Sequence, residues 1–256
     1  MKPTRSSLWV AAALLLATAS AEAGQFRAVY SDVSDPTFRE WRAELQADKV
    51  LESLEADLNS GLKIPADVTI TVGECGTENA FYQPQERAIV VCWELIRDFY
   101  DGARELGWSE EAAQEAAENA TEFFFYHELG HALIHVLDLP TTGREEDAVD
   151  QLSVYVLATE GDDGPAPALD AALAFLAWAE EADAAGAQAA FWDEHSLDKV
   201  RFFNIVCWVY GTAPGRYQDL VSKGTLPANR AERCPGEWAQ IDKSWSQLLA
   251  PSLKAN

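Results

Sequence analysis

The sequence has few basic residues, and this shortage limits the partners that it can bind. Lysine and arginine together number 19, against 42 aspartates and glutamates, which gives a net charge of −23 at pH 7. A negative field of this size repels nucleic acids and anionic lipids. We therefore expect no nucleic-acid partner, and we attribute the acidity to solubility.

Long hydrophobic runs are also missing, apart from a short one near the N-terminus. Residues 8–19 are mostly apolar and follow the basic residues Lys2 and Arg5, but this run is shorter than a bilayer crossing requires. Ala21 and Ala23 then form an A-x-A cleavage pattern. The sequence predicts a signal peptide over residues 1–23, export to the periplasm or the medium, and no membrane span in the mature chain.

Cysteine is scarce and irregularly spaced. The four cysteines are Cys75, Cys92, Cys207 and Cys234. An even number in an exported protein predicts two disulfides, and four cysteines allow three pairings. We favour Cys75–Cys92 and Cys207–Cys234, because each of these pairs closes a local segment. A four-cysteine zinc site is disfavoured, since the chain has no C-x-x-C spacing.

Hydrophobic patterning predicts a small sheet followed by many helices. Strands are expected at residues 26–30, 68–72, 79–82 and 88–92, the last two forming a hairpin. A single helix is predicted from Pro36 to Gly61, on apolar residues that include Leu45 and Val50. Further helices are predicted at residues 93–106, from Ser109 to just before Pro140, at 142–157 and, after a loop at 161–165, at about 168–183, 197–210, 214–222 and 237–249.

These elements predict a mainly helical α+β fold. We expect residues 24–256 to form one domain. Residues 24–140 would hold the small sheet, and residues 141–256 would form a helical C-terminal lobe.

Histidine is rare too, yet two of the four histidines stand in one short motif. His127, Glu128 and His131 form an H-E-x-x-H pattern inside a strongly helical stretch. Residues four apart lie on the same face of a helix, so both imidazoles can point at one zinc ion, with Glu128 beside it. The alternative is that the two histidines pack inside a helix and that Glu128 is a solvated charge. The rarity of histidine favours the zinc interpretation.

A catalytic zinc ion usually takes a third protein ligand and leaves its fourth position to water. His135 lies one turn beyond His131, but three ligands along one straight helix do not readily surround a metal ion. Glu146 and Asp150 share a face of the next predicted helix, which a short turn can fold back against the motif. We predict that Glu146 is the third ligand and that Asp150 accepts the N–H of His127 or His131.

The pattern of H-E-L-G-H followed by a helix with E-x-x-x-D resembles the gluzincin metallopeptidases. The segment from Asn79 to Tyr82 resembles the N-A-F-(W/Y) edge strand of thermolysin-like enzymes, which implies that Asn79 and Ala80 hold an extended peptide substrate. More widely, the chain is similar to a bacterial family of uncharacterised metallopeptidases. The matching segments are residues 74–82, 92–95, 127–133, 145–151, 193–198, 207–211 and 230–234.

The resemblance implies a zincin-like fold, a zinc cofactor and a peptide or protein substrate. Glu128 would then act as the general base that takes a proton from the attacking water. A second group should steady the developing oxyanion. His195, the only histidine outside the motif helix, and Tyr210 are the candidates for that role.

A different class of function also fits these residues. The protein could keep the zinc-binding fold as a catalytically silent binding or scaffold module of the cell envelope. The presence of Glu128 favours the enzyme, because metal binding alone does not need that carboxylate.

Overall fold

The computed structural model describes residues 23–160 and 164–254. The predicted signal peptide at 1–23 therefore lies almost wholly outside the described residues, as does the centre of the loop predicted at 161–165. The described chain has a mainly helical α+β fold with one small sheet, which confirms the predicted fold class. The proposed division into lobes at residue 140 stays a prediction.

Four strands form the sheet, at the positions that hydrophobic patterning predicts: β1 (Phe26–Tyr30), β2 (Val68–Gly73), β3 (Ala80–Gln83) and β4 (Ala88–Cys92). Their order is β1-β2-β4-β3, with β1, β2 and β4 parallel and β3 antiparallel to β4. Alternate residues of β2, including Val68 and Ile70, point into the core. The hairpin prediction for β3 and β4 is confirmed, and β3 forms an edge of the sheet.

The prediction of one helix from Pro36 to Gly61 is wrong. The segment forms two helices, α1 (Pro36–Asp48) and α2 (Val50–Gly61), separated by Lys49 in the left-handed conformation with φ of 55°. The break rotates the buried face, so that Leu51 is buried and Val50 is 46% exposed. Leu45 and Val50 are five residues apart, and residues at that spacing do not lie on one face of a continuous helix. This spacing was the sequence feature that indicated a break between them.

The long motif helix begins and ends as its capping residues predict. Helix α3 (Trp93–Glu105) precedes it, and α4 spans Glu110–Leu137. The hydroxyl of Ser109 accepts a hydrogen bond from the amide of Ala112, and Asp138 closes the helix in the left-handed conformation two residues before Pro140. Helix α4 packs against β3, β4, α3 and two helices that follow it, so it runs through the centre of the structure.

The C-terminal half is helical in all its described elements. These are α5 (Glu145–Glu160), α6 (Pro167–Ala184), α7 (Asp198–Thr212), α8 (Gln218–Ser222), α9 (Ala228–Ala231), α10 (Cys234–Leu249) and a short 3-10 turn at Ala250–Ser252. Helix α8 is shorter than predicted, α10 begins three residues earlier, and α9 was not predicted. A single cluster of buried side chains extends from Phe26 in the sheet to Trp245 in α10, so the elements share one continuous core.

Gly130 allows α4 and α5 to pack closely. A Cβ at this position would lie 2.6 Å from Cγ1 of Val149 in α5. This close approach brings the start of α5, with Glu146 and Asp150, alongside the two motif histidines. Close packing against α5 therefore explains why this position of H-E-L-G-H holds a glycine, which the helix pattern alone does not show.

Both favoured disulfides are present, Cys75–Cys92 and Cys207–Cys234, and they leave no cysteine free. The first ties the loop before β3 to the end of β4, and the second ties α7 to α10. Disulfides of this kind are typical of proteins outside the reducing cytosol. Among the helices of the described residues, none combines the length and apolar character that a bilayer crossing requires.

Candidate metal centre

The centre is built around the carboxylate of Glu146, in the first turn of α5. Three imidazole Nε2 atoms lie close to its oxygens: that of His127 at 3.1 Å, that of His131 at 3.3 Å and that of His195 at 3.1 Å. His127 and His131 come from successive turns of α4, as the motif predicts, and His195 comes from the loop between α6 and α7. The structure therefore brings together the three predicted metal ligands and adds a third imidazole.

The other ring nitrogen of each imidazole, Nδ1, lies within hydrogen-bond distance of a second carboxylate. Nδ1 of His127 lies 2.8 Å from Asp150, Nδ1 of His131 lies 2.8 Å from Glu145, and Nδ1 of His195 lies 3.1 Å from Asp193. An ionised carboxylate only accepts hydrogen bonds, so each Nδ1 carries the proton and donates it. An Nδ1–H held by a carboxylate is the usual outer arrangement of metal-binding histidines, in which a bound metal ion takes the place of a proton on Nε2.

Sequence reasoning expected Asp150 to serve either motif histidine, and the geometry assigns it to His127. Glu145, in the first turn of α5, holds His131 in the same way, and sequence reasoning gave it no role in the site. Its place one residue before Glu146 was the available signal, because successive residues at the start of a helix can reach two partners.

Arg201 is a site residue that sequence reasoning missed. It is buried in α7, where its Nε and Nη2 donate to the two oxygens of Asp150 at 2.8 and 2.7 Å. Its guanidinium also stacks over the ring of Phe175 at 3.9 Å. A lone arginine on the apolar face of α7, in line with Ile205 and Trp208, needs a buried partner, and that position was the signal.

The electrostatics of the centre favour positive charge. Burial lowers the pKa of His131, but hydrogen bonds to Glu146 and Glu145 outweigh burial and raise the pKa to about 9. Burial likewise raises the pKa of Glu146, and the three imidazoles reverse this and hold it far below the usual range. Burial would also raise the pKa of Asp150, but Arg201 and His127 lower it to about 2. A carboxylate surrounded by imidazoles in this way suits a divalent cation.

The donor set fits zinc. Zinc is commonly bound by histidine nitrogen and carboxylate oxygen in tetrahedral sites. With bonds of about 2.0–2.1 Å, two donors of one tetrahedral ion lie roughly 3.3–3.4 Å apart. The Nε2-to-oxygen distances of 3.1–3.3 Å come close to that spacing. The ligand atoms of His127, Glu146 and His195 all lie within 4.8 Å of one another, and Nε2 of His131 lies beside the other oxygen of Glu146. These residues therefore suit a zinc ion bound at Glu146.

Glu128 lies between the metal-binding side of α4 and the sheet. Its side chain is buried, and burial raises the pKa of its carboxyl group, while His127 and His131 oppose this rise. The backbone amide of Tyr82 in β3 also lies against this carboxylate and lowers its pKa. Glu128 therefore stands at the point where the metal centre meets the edge strand.

The unpaired edge of β3 faces this point. The amide of Cys92 donates to the carbonyl of Asn79 at 3.0 Å, and inward and outward groups alternate along an antiparallel strand. The backbone groups of Ala80 and Tyr82 therefore point away from β4. The amide of Ala80 is bound by the side chain of Asn79 at 3.0 Å.

A buried carboxylate fixes the loop that leads into β3. The side chain of Glu94 accepts the amides of Cys75 at 3.1 Å and of Gly76 at 2.7 Å. Together with the Cys75–Cys92 disulfide, it holds the loop from which Asn79 projects.

His135 and Tyr210 stand apart from the centre. Nδ1 of His135 lies 2.8 Å from the hydroxyl of Tyr82, so this histidine forms a hydrogen bond with the edge strand. Tyr210 is half-buried against the core near the end of α7, roughly 13 Å along the helix from Arg201. The structure gives Tyr210 no contact with the centre among the described residues, and its catalytic role stays an untested prediction.

The residues of the centre suit a metal ion, and comparison with known families identifies the class as that of a metal-dependent peptidase. Residues 30–249 match a family model described as "Putative metallopeptidase", and the chain belongs to this family. No curated protein and no solved structure matches the chain.

Proposed function

We propose that the protein is an exported zinc peptidase of the gluzincin type. His127, His131 and Glu146 would hold the zinc ion, and Asp150 and Glu145 would orient the two imidazoles. The observation that carries the proposal is the position of Glu128, a buried carboxylate lying between two metal-binding histidines and the free edge of a β-strand. A metal site that only stabilised the fold would have no use for that carboxylate.

The substrate would be an extended peptide. The outward carbonyl groups of Ala80 and Tyr82 can accept hydrogen bonds from a peptide that adds to the sheet at β3, and the exposed side chain of Asn79 stands at the start of that edge. Such pairing would align a peptide bond with Glu128 and the metal centre. This use of Asn79 and Ala80 agrees with the likeness to thermolysin-like enzymes.

A bound zinc ion would supply a water molecule with a pKa near 7 and would polarise the peptide carbonyl. Glu128 would accept the proton from the attacking water and pass it to the departing nitrogen. The hydrogen bond to Glu146 raises the pKa of His195, with Asp193 adding to the rise, so its Nε2 can carry a proton as well as its Nδ1. The Nε2–H would then be placed to donate to the oxygen of the reacting carbonyl.

The test compares wild type with Glu128→Gln. Zinc content would be measured on both purified proteins, and both would be incubated with a library of unstructured peptides. We expect equal zinc in the two proteins, and cleavage reduced about 10²–10⁴-fold in the variant. Zinc in both proteins with no cleavage by either would overturn the proposal and favour the silent binding module instead.

A further inference from the structure

His195 shares two features with the two predicted imidazole ligands. Its Nε2 approaches Glu146 as closely as that of His127 does, and its Nδ1 is held by a carboxylate of its own. The ligand atoms of His127, Glu146 and His195 all lie within 4.8 Å of one another. A residue that only donated to a substrate oxygen would not need to lie among the metal-binding atoms when no substrate is bound.

From this geometry, and resting on the proposed function, we infer that His195 is a fourth zinc ligand that closes the centre at rest. Zinc sites with four protein ligands are structural and closed, whereas catalytic sites keep one position open. His127, His131, Glu146 and His195 together would fill a tetrahedral zinc ion. Hydrolysis would then require His195 to leave the metal.

The attachments of His195 show how it is held. Nη1 of Arg144 donates to the carbonyl oxygens of Asp193, Glu194 and His195 at 3.1, 3.3 and 2.9 Å. The hydroxyl of Ser196 donates to Asp147 at 2.7 Å. The partners of residues 193–196 in these bonds are Arg144, directly before α5, and Asp147 in its first turn, on either side of Glu146. The proposed ligand Glu146 therefore lies beside the residues that hold the His195 segment. We call the hydrogen bonds of Arg144 and Asp147 to residues 193–196 the latch.

The rest of the loop holds this position only weakly. Just before Asp193, the side chains of Phe191 and Trp192 are 74% and 79% exposed, so they contribute little packing that would resist movement. Segments with few buried apolar contacts and exposed hydrogen bonds open at low free-energy cost. The bonds of Arg144 and Ser196 lie at the surface or only partly below it. Residues 193–196 can therefore move away while α5 and the other three ligands stay in place.

The closed centre can be tested in the full protein by replacing zinc with cobalt(II), whose visible absorption reports coordination. We expect the wild type to show the intense spectrum of a four-coordinate site, and to be barely perturbed by added acetohydroxamate. His195→Ala should give a weaker spectrum, bind acetohydroxamate more tightly, and hold zinc at least about 10–100-fold more weakly in a chelator competition. Added imidazole should restore part of the wild-type spectrum.

Two further variants separate this role from others. His135→Ala removes a neighbouring histidine that lies outside the centre, and should leave spectrum and zinc affinity unchanged. Arg144→Gln keeps all four ligands but loosens the latch, and should make acetohydroxamate binding tighter without a matching loss of zinc. An equally open centre in wild type and Arg144→Gln would contradict the latch.

The outcomes distinguish this inference from the proposed function. If His195→Ala leaves the cobalt spectrum and zinc affinity unchanged, while wild type cleaves peptides, His195 is no ligand and the peptidase stands. If His195→Ala changes both, while no variant cleaves any peptide, the closed zinc site stands and the peptidase falls. A wild type that binds neither metal overturns both.

Discussion

The carboxylate of Asp150 and the guanidinium of Arg201 form a two-point ion pair inside the protein, with 2% and 6% of the two residues exposed. The same carboxylate accepts the Nδ1 proton of His127. Arg201 therefore acts on the metal centre through two intermediaries. It keeps Asp150 ionised, and Asp150 keeps His127 oriented.

Removing this arginine should destabilise the protein strongly. Arg201→Met would leave the charge of Asp150 buried with only the N–H of His127 as a partner, and losing one member of a buried pair costs about 3–5 kcal/mol. We expect the free energy of unfolding in urea to fall by that amount. As a control, Lys199→Met removes a cation whose partner, Asp183, is exposed, and the unfolding curve should not change. If both substitutions lower the free energy of unfolding equally, the buried ion pair contributes no more to stability than the exposed one.

Gly130 should not tolerate a side chain, because α4 and α5 are in contact there. In Gly130→Ala the new methyl group would lie 2.6 Å from Cγ1 of Val149, and overpacking of this kind costs about 1–3 kcal/mol. The shift of α5 should also weaken zinc binding, since it moves Glu146 away from the motif histidines. Both losses are measurable, one by urea unfolding and the other by chelator competition.

Two control substitutions test whether close packing of α4 against α5 causes these losses. Gly102 in α3 has no atom within 4 Å of its would-be Cβ, so Gly102→Ala should be neutral or stabilise the helix by about 0.5–1 kcal/mol. Adding Val149→Ala to Gly130→Ala should recover part of the zinc affinity. If Gly102→Ala is as harmful as Gly130→Ala, close packing is not the reason.

Asp170 should make stability fall as pH rises. Burial raises the pKa of its carboxyl group, against the opposing hydrogen bond from Asn119. Because the folded state holds this proton more tightly than the unfolded state, stability decreases as pH rises from the ordinary pKa through the raised one. Asp170→Asn keeps an acceptor for Asn119 and should flatten this decline. The measurement is the difference in unfolding free energy between the two proteins across acidic to neutral pH, and a constant difference would refute the expectation.

The two disulfides should contribute similarly to stability but differently to activity. Their sequence separations of 17 and 27 residues predict losses of about 3 and 3.5 kcal/mol when each is replaced by a pair of serines. Only Cys75–Cys92 holds the loop before the edge strand, so only its loss should raise KM for a cleaved peptide. Equal KM values in the two double variants would disconnect that loop from substrate binding.

The features of the fold and the site that the sequence predicted correctly are those that depend on short stretches of the chain. The four strands, the caps of α4 and both cysteine pairings follow from short patterns, and all were predicted. The pairing of Glu146 with the motif histidines was also predicted, because a short turn and a four-residue spacing restrict where α5 can lie. The break at Lys49 was missed because the residues around it include neither glycine nor proline.

Non-local partners were the part that sequence could not supply. Arg201 lies 51 residues from Asp150, and no spacing rule connects positions on two helices that meet only through tertiary packing. His195 was identified by its rarity, but its position beside Glu146 goes with hydrogen bonds from Arg144 to the backbone of residues 193–195. Sequence reasoning therefore predicted the residues of α4 and α5 that meet in the centre and singled out His195, but it did not predict Arg201 of α7 or the contact of His195 with Glu146.

The last prediction concerns substrate binding at the edge of β3 that pairs with no other strand of the sheet. Asn79 stands at the start of that edge with an exposed side chain, so Asn79→Ala should remove one hydrogen bond to an extended peptide. A single hydrogen bond contributes about 0.5–1.5 kcal/mol, which corresponds to a rise in KM of roughly 2–10-fold with little change in kcat. Gln83, at the other end of β3, is also exposed, and Gln83→Ala should leave KM near that of wild type. If both substitutions leave KM unchanged, the peptide does not lie along this strand, whereas a loss confined to kcat in Asn79→Ala would place Asn79 nearer the reacting bond than the sheet geometry indicates.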